Sequence, residues 1–206
     1  MYMKKIIVLA AALLIGLQAQ AQIVANGGFA VAFENAKVDG FDGYYSHPSA
    51  LFGVYAGGNY YYSLDNIVDG LAVMPGANLS LLFGRHWDFS DVKVRELALN
   101  LPLQACYTYE INKDLSVFGQ TGPTLQFALT HKAITSGATY NLLSKKNNFG
   151  EVRSPFNIYW GFAGGVEVSQ MLRIEVGYDL GFCNLSRTDG IRISRGFLHF
   201  GVGYLF

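Results

Sequence analysis

From Glu96 to Glu110 the chain alternates without a break. Leu97, Leu99, Leu101, Leu103, Ala105, Tyr107 and Tyr109 take one set of positions; Glu96, Ala98, Asn100, Pro102, Gln104, Cys106, Thr108 and Glu110 take the other. Successive side chains on a strand point to opposite faces, so this is one strand with an oily side and a small, polar side. At about 3.3 Å per residue it is long enough to cross a lipid bilayer at a tilt. Few folds accept such a strand, because its oily side must face either a large core or hydrocarbon.

The same period recurs along the chain. Strands are expected over residues 23–33 (the weakest pattern), 50–64, 71–84, 96–110, 115–129, 156–168, 172–182 and a last one ending at Phe206. The connections between them, 34–49, 65–70, 85–94, 111–114, 131–154, 169–171 and 184–194, alternate long and short. That asymmetry belongs to barrels with brief periplasmic turns and longer outer loops. An even strand count places both chain termini on the periplasmic side.

The first residues read as an export signal. Lys4 and Lys5 precede an apolar run over residues 6–17, and Ala19-Gln20-Ala21 makes a small-x-small cleavage site. Residues 1–21 are thus expected to be removed, leaving a single barrel domain over 22–206. The apolar run is too short for a spanning helix, and no later stretch is long enough for one. A half-apolar exported chain with no such helix can satisfy its backbone in lipid by closing a barrel. The fold expected is therefore all-β: an eight-stranded antiparallel up-and-down transmembrane β-barrel in the cell outer membrane. Loss of the signal leaves thirteen basic against fifteen acidic residues, a net charge of −2, which gives no footprint for nucleic acid.

Three features assign the oily side to lipid. On the seven well-patterned strands it carries no Asp, Glu, Lys or Arg. Lys37, Lys93, Lys113, Lys132, Lys145 and Lys146 all fall in expected connections or at their edges. Aromatic residues gather at two levels: Tyr60, Tyr62, Tyr107, Tyr109, Tyr204 and Phe206 at one, and Phe33, Phe52, Phe83, Phe127, Phe156 and Phe182 at the other. Amphipathic rings favour the headgroup zone, so these are expected girdles.

The opposite side collects Glu96, Glu167, Arg173, Glu175, Asp179 and Arg195, a charge network expected in the lumen. Isolated buried charges cost several kcal/mol each, so pairing is expected, with Glu167 and Arg173 meeting across the turn at 169–171. Eight strands enclose a bore that side chains can fill, so a plugged lumen is expected. Cys106 and Cys183 fall on the fourth and seventh strands, not neighbours, and read as small lumen fillers without a disulfide.

At this point the residues resemble the PorT-like family of small outer-membrane barrels, architectural relatives of the OmpA and OmpX barrels. Glu96-Leu97-Ala98-Leu99-Asn100-Leu101-Pro102-Leu103 is similar to that family's fourth-strand Leu-Glu-Ile-Pro-Leu pattern. Gly122-Pro123 with Leu125 is similar to its fifth-strand Gly-Pro, and Gly177-Tyr178-Asp179-Leu180-Gly181-Phe182 with Asn184 to its seventh-strand Tyr-x-x-Gly-Leu-x-Asn. The last eight residues, with His199, Gly201, Tyr204 and Phe206 at the signal positions, match the outer-membrane assembly signal. The resemblance implies that the barrel-assembly machinery reads this strand, and it brings no catalytic residues.

His47, His86 and His131 stand at the ends of three loops with no carboxylate or thiol at ligand spacing, so no metal site and no cofactor are expected. His131 with Thr130, Thr135 or Ser136 is the one vaguely triad-like cluster, and an enzyme is not expected. The functional class expected is a structural or assembly-linked membrane barrel whose partners are outer-membrane lipids, lipopolysaccharide and the assembly machinery. A surface-binding barrel is the alternative, with Phe41, Tyr44, Tyr45, Lys145 and Lys146 as loop contacts, because loops on rigid scaffolds often carry function. A lipid-modifying enzyme is a more distant one.

Overall fold

The computed structural model describes residues 21–40, 43–89, 91–146 and 149–206. The expected signal peptide and Phe41 thus lie outside the described residues, apart from Ala21. The described residues form nine strands and no α-helix: β1 (Ala21–Gly40), β2 (Gly43–Ser63), β3 (Leu71–Arg85), β4 (Lys93–Asn112), β5 (Leu115–Ile134), β6 (Thr139–Asn141), β7 (Phe156–Val168), β8 (Leu172–Gly181) and β9 (Ile191–Leu205).

Eight of them close a ring in the order β1-β2-β3-β4-β5-β7-β8-β9, each antiparallel to its neighbours, with β9 returning to pair with β1. Short β6 sits outside the ring, paired with the end of β5. Closure leaves no unpaired edge, the condition a sheet must meet in hydrocarbon. The chain is an eight-stranded up-and-down barrel of the transmembrane type.

Its outside is the oily side. Following the hydrogen-bonded register around the ring, Ile174, Val202, Gly27, Ala56, Leu79, Leu99, Phe127 and Phe156 form one unbroken apolar lane. Phe29 is 72% exposed, Phe52 60% and Phe162 55%, exposures that a water-facing sheet would not tolerate in such number. The opposite side is buried and packs Ala30, Ala32, Leu51, Tyr55, Leu82, Val94, Tyr159 and Phe197 into the bore.

Two prolines sit where the ladder skips. Pro102 pairs with Thr124, after which pairing resumes only at Ala105 and Thr121, and Pro123 occupies that gap. Proline donates no ladder hydrogen bond, so an interrupted register is where a ring without edges can hold one. Gly122 is required beside it, because a Cβ there would overlap the Leu103 carbonyl oxygen.

The structure corrects the expected element boundaries at the outer end. The weak first strand is 20 residues long and runs on to Gly40, and β2 starts at Gly43, so residues 34–49 are mostly hairpin and not loop. β4 and β5 each reach 20 residues, well beyond the roughly 9–11 that span a bilayer at a tilt. Lys37, Lys93 and Lys132 consequently lie within strands, which corrects their placement in connections. The apolar alternation stops where hydrocarbon stops, whereas the hydrogen-bonded ladder continues into water.

Candidate functional site

At the outer mouth the bore is closed by a buried ionic cap. Arg195 on β9 faces Glu34, its register partner on β1, and donates to it from Nε at 2.9 Å and again from Nη2. The same guanidinium reaches across the bore to Glu96 on β4, which lies diametrically opposite in the ring, with Nη1–Oε1 at 2.6 Å and Nη2–Oε2 at 2.7 Å. The paired, parallel geometry is the strong one for a guanidinium and a carboxylate. Glu96 also accepts from His131 Nδ1 at 2.5 Å.

The second layer comes from the loops. Arg153, buried in the 135–155 connection, donates from Nη1 to Glu34 at 3.0 Å and from Nε to Glu151 at 2.5 Å. Glu151 in turn accepts from His86 Nε2 at 2.7 Å and Trp87 Nε1 at 2.9 Å in the β3–β4 connection. The β8–β9 connection is stitched to the same loop by an Arg153–Ser186 bridge and the Arg187 N to Val152 O hydrogen bond. Three outer connections are therefore locked to the barrel wall and to one another.

Burial alone would raise the Glu151 carboxyl. The His86 hydrogen bond and the Arg153 charge outweigh it and hold the group at about 2, against an ordinary 4.5. A carboxyl with a depressed folded value contributes stability that is complete above about 4.5 and fades as the pH falls toward about 2. The loop should therefore resist pepsin at pH 4 and be cut progressively faster toward pH 2. A Glu151→Gln variant should be open to trypsin at Lys145 and Lys146 already at neutral pH; equal resistance of variant and parent would contradict the cap.

Below the cap lies a cavity of about 60 Å³, room for a few water molecules. Oxygens of Asn59, Gln120 and Asp179 with no hydrogen-bond partner among the described residues border it, and Tyr55 donates to Glu175 at 3.1 Å within it. Asp179 also stands 3.8 Å from His199 Nδ1. Farther down, Arg173 seals the periplasmic half. Its guanidinium stacks 3.7 Å from the Phe118 ring centroid and donates to Met74 Sδ and Cys106 Sγ, with Glu167 at 3.9 Å across the hairpin turn.

The six expected lumen charges thus all point inward but form three separate groups: Glu96 and Arg195 at the top, Glu175 and Asp179 in the middle, Glu167 and Arg173 at the bottom. Sequence reasoning misses Glu34, Glu151 and Arg153, since each stands in a stretch that reads as loop. Glu34 in particular follows the inward alternation of Ala30 and Ala32, the signal that could have found it. His86 and His131, which in the sequence stand at loop ends with no carboxylate at ligand spacing, are buried and each bonded to a carboxylate. Their partners stand 65 and 35 residues away in the chain, beyond the reach of spacing arguments. The His47 ring packs at a tilt against Trp87, with centroids 5.4 Å apart.

Cys106 and Cys183 are both free. Cys106 fills the bore, but Cys183 lies beyond β8 in the outer connection, a correction to its expected place. His199, Gly201 and Leu205 face inward, while Tyr204 and Phe206 face out and pack edge to face at 4.8 Å. Tyr44 and Tyr45 belong to β2, register partners of Asp39 and Val38, and Lys145 and Lys146 are exposed. Of the hydroxyls named beside His131, Thr135 bonds the Ala138 carbonyl and Ser136 is exposed. The Nε2 of His131 has no hydrogen-bond partner among the described residues.

No family model matches the chain, and no curated protein matches it. Solved structures of similar architecture do. Neisserial surface protein A is 13% identical, with 90% of this chain and 99% of that one covered and a TM-score of 0.48. Ail, the attachment invasion locus protein of Yersinia pestis, is 14% identical over 91% and 99%, with a TM-score of 0.41. At these levels the likeness adds nothing to the ring of pairings already described. The outer membrane enzyme PagL (8% identity, 85% and 98% covered, TM-score 0.43) and the Escherichia coli outer membrane protease OmpT (9%, 91% and 97%, 0.42) are also among the similar structures. The expectation that the chain is not an enzyme is accordingly corrected: two of the similar structures are outer-membrane enzymes.

Proposed function

We propose that this chain is an integral outer-membrane barrel of structural type, closed to solute flow, whose outer end is its working part. The observation that carries the reading is Arg195 bridging Glu34 and Glu96 across the full width of the bore, with Arg153 set on top from the loop. A charged rod across an eight-stranded bore leaves no conduit, and the apolar outside supports a place in lipid. In planar-bilayer recording the inserted barrel should show no large, steady conductance; a stable open channel would overturn the closed reading.

Residues 199–206 support assembly through the barrel-assembly machinery, and the four landmark motifs support a PorT-like affinity. A specific observation also favours surface binding. The locked loops hold a cluster of rings, with His86 stacked on Phe89 at 5.4 Å and edge-on to Phe149 at 5.2 Å, and Phe89 is half exposed. A rigid aromatic ledge, with Phe149 on the same connection as the exposed Lys145 and Lys146, suits a contact surface. Replacing Phe89, Lys145 and Lys146 while keeping Arg153 separates the readings. Lost cell adhesion at unchanged barrel yield supports binding, and unchanged adhesion removes it.

A further inference from the structure

The outer ends of β3, β4 and β5 bring four cations together on the outside of the barrel. In the register Arg85 stands directly opposite Lys93, and Arg95 directly opposite Lys132. All four are exposed and point away from the bore, since Val94, Glu96, His131 and Ala133 between them are buried. Like charges directly opposite on one face of a sheet destabilise it. No carboxylate lies within 4 Å of any of the four among the described residues; Asp88 and Asp91, in the adjoining connection, form no ion pair with them. Such a cluster is uncompensated within the described chain.

Its position says what compensates it. Phe83, on the outer aromatic level, is the register partner of Arg95, and the Arg95 guanidinium lies 5.5 Å over the Phe83 ring. The cations thus begin where the apolar belt ends, at headgroup height. The short-turn end of the barrel has the opposite balance, with Asp65, Asp69, Glu110 and Asp114 exposed there and Lys113 the one exposed base among the described residues. A second like-charged pair, Lys37 opposite Arg192, sits on the outer end of β1 and β9.

We infer that the outward face of Arg85, Lys93, Arg95 and Lys132 is a binding site for a membrane lipid whose headgroup carries two or more phosphates. The inference rests on the transmembrane reading above and deepens it. Two like-charged pairs side by side present donors to several phosphate oxygens at once, while Phe83 packs against the lipid below. The anionic headgroup removes the repulsion built into the register.

The test uses the whole mature barrel in phosphatidylcholine vesicles, with or without a bisphosphorylated glucosamine-disaccharide lipid or its phosphate-free counterpart. Native mass spectrometry reads the lipid retained after extraction. The parent should retain the bisphosphorylated lipid and not the phosphate-free one. Arg95→Gln/Lys132→Gln should lower retention about thirtyfold, the usual surface contribution of two cations, whereas Lys145→Gln/Lys146→Gln should not. The double variant should also unfold at higher denaturant than the parent in plain phosphatidylcholine and at lower denaturant with the phosphorylated lipid. Equal retention by parent and Arg95→Gln/Lys132→Gln, equal retention of the phosphate-free lipid, or an equal loss in the loop-lysine variant would each overturn the site. Failure of the parent to insert into plain phosphatidylcholine would instead strike at the transmembrane reading.

Discussion

Replacing Arg195 with Met should destabilise the barrel by about 3–5 kcal/mol, because it strands buried carboxylates without their main counter-charge. Glu34 would keep Arg153 and Glu96 would keep His131, but the single side chain joining opposite walls of the bore would be gone. The loss should appear as a lower urea midpoint in micelles and as loss of the heat-modifiable band shift. Adding Glu34→Gln and Glu96→Gln to Arg195→Met should restore much of the stability, since neutral amides cost less to bury than unpaired carboxylates. The triple variant should at the same time remain less specific in its packing, visible as a wider bore in conductance recording. A fully stable Arg195→Met single variant would show that the ionic cap is incidental to the fold.

The second large effect is expected on the other side of the wall. Val176 lies midway along the outward face of β8, next to Phe200 in the register, and is half exposed. In water an exposed Val→Lys change is close to neutral, within about 0.5 kcal/mol. In a bilayer the same change at mid-depth should cost about 2–4 kcal/mol. Unfolding Val176→Lys and its parent from vesicles therefore reports directly on what surrounds β8. Ser194, exposed at the outer end of β9, supplies the control. A lysine there lies above the apolar belt, where the cost falls to about 0–1 kcal/mol.

Much of this was readable in the chain. Alternation located β3, β7 and β8 almost to the residue because the lipid boundary and the strand ends nearly coincide there. It stopped short on β1 and β2, where Gly27 and Gly58 thin out the apolar side and polar residues occupy the protruding hairpin. The inward direction of Arg173, Asp179 and Arg195 followed from the same period of two. Their partners did not, because Arg195–Glu96 and Arg173–Met74 span the bore between strands that share no hydrogen bond. Closure of the ring makes such pairs, and no local spacing encodes it. The cap was hidden for a further reason: Arg153 and Glu151 belong to a long connection, and only its return into the mouth of the bore gives them a role.

Spin labels placed in turn along β8, at positions 172 to 180 in a Cys183→Ser background, test most directly whether hydrocarbon surrounds the barrel. In vesicles, labels at Leu172, Ile174, Val176, Tyr178 and Leu180 should be open to oxygen and closed to a water-soluble nickel chelate, with the greatest oxygen exposure near Val176. Labels at Arg173, Gly177 and Asp179 should be closed to both. Outward positions equally open to the nickel chelate, whether or not lipid is present, would contradict the account.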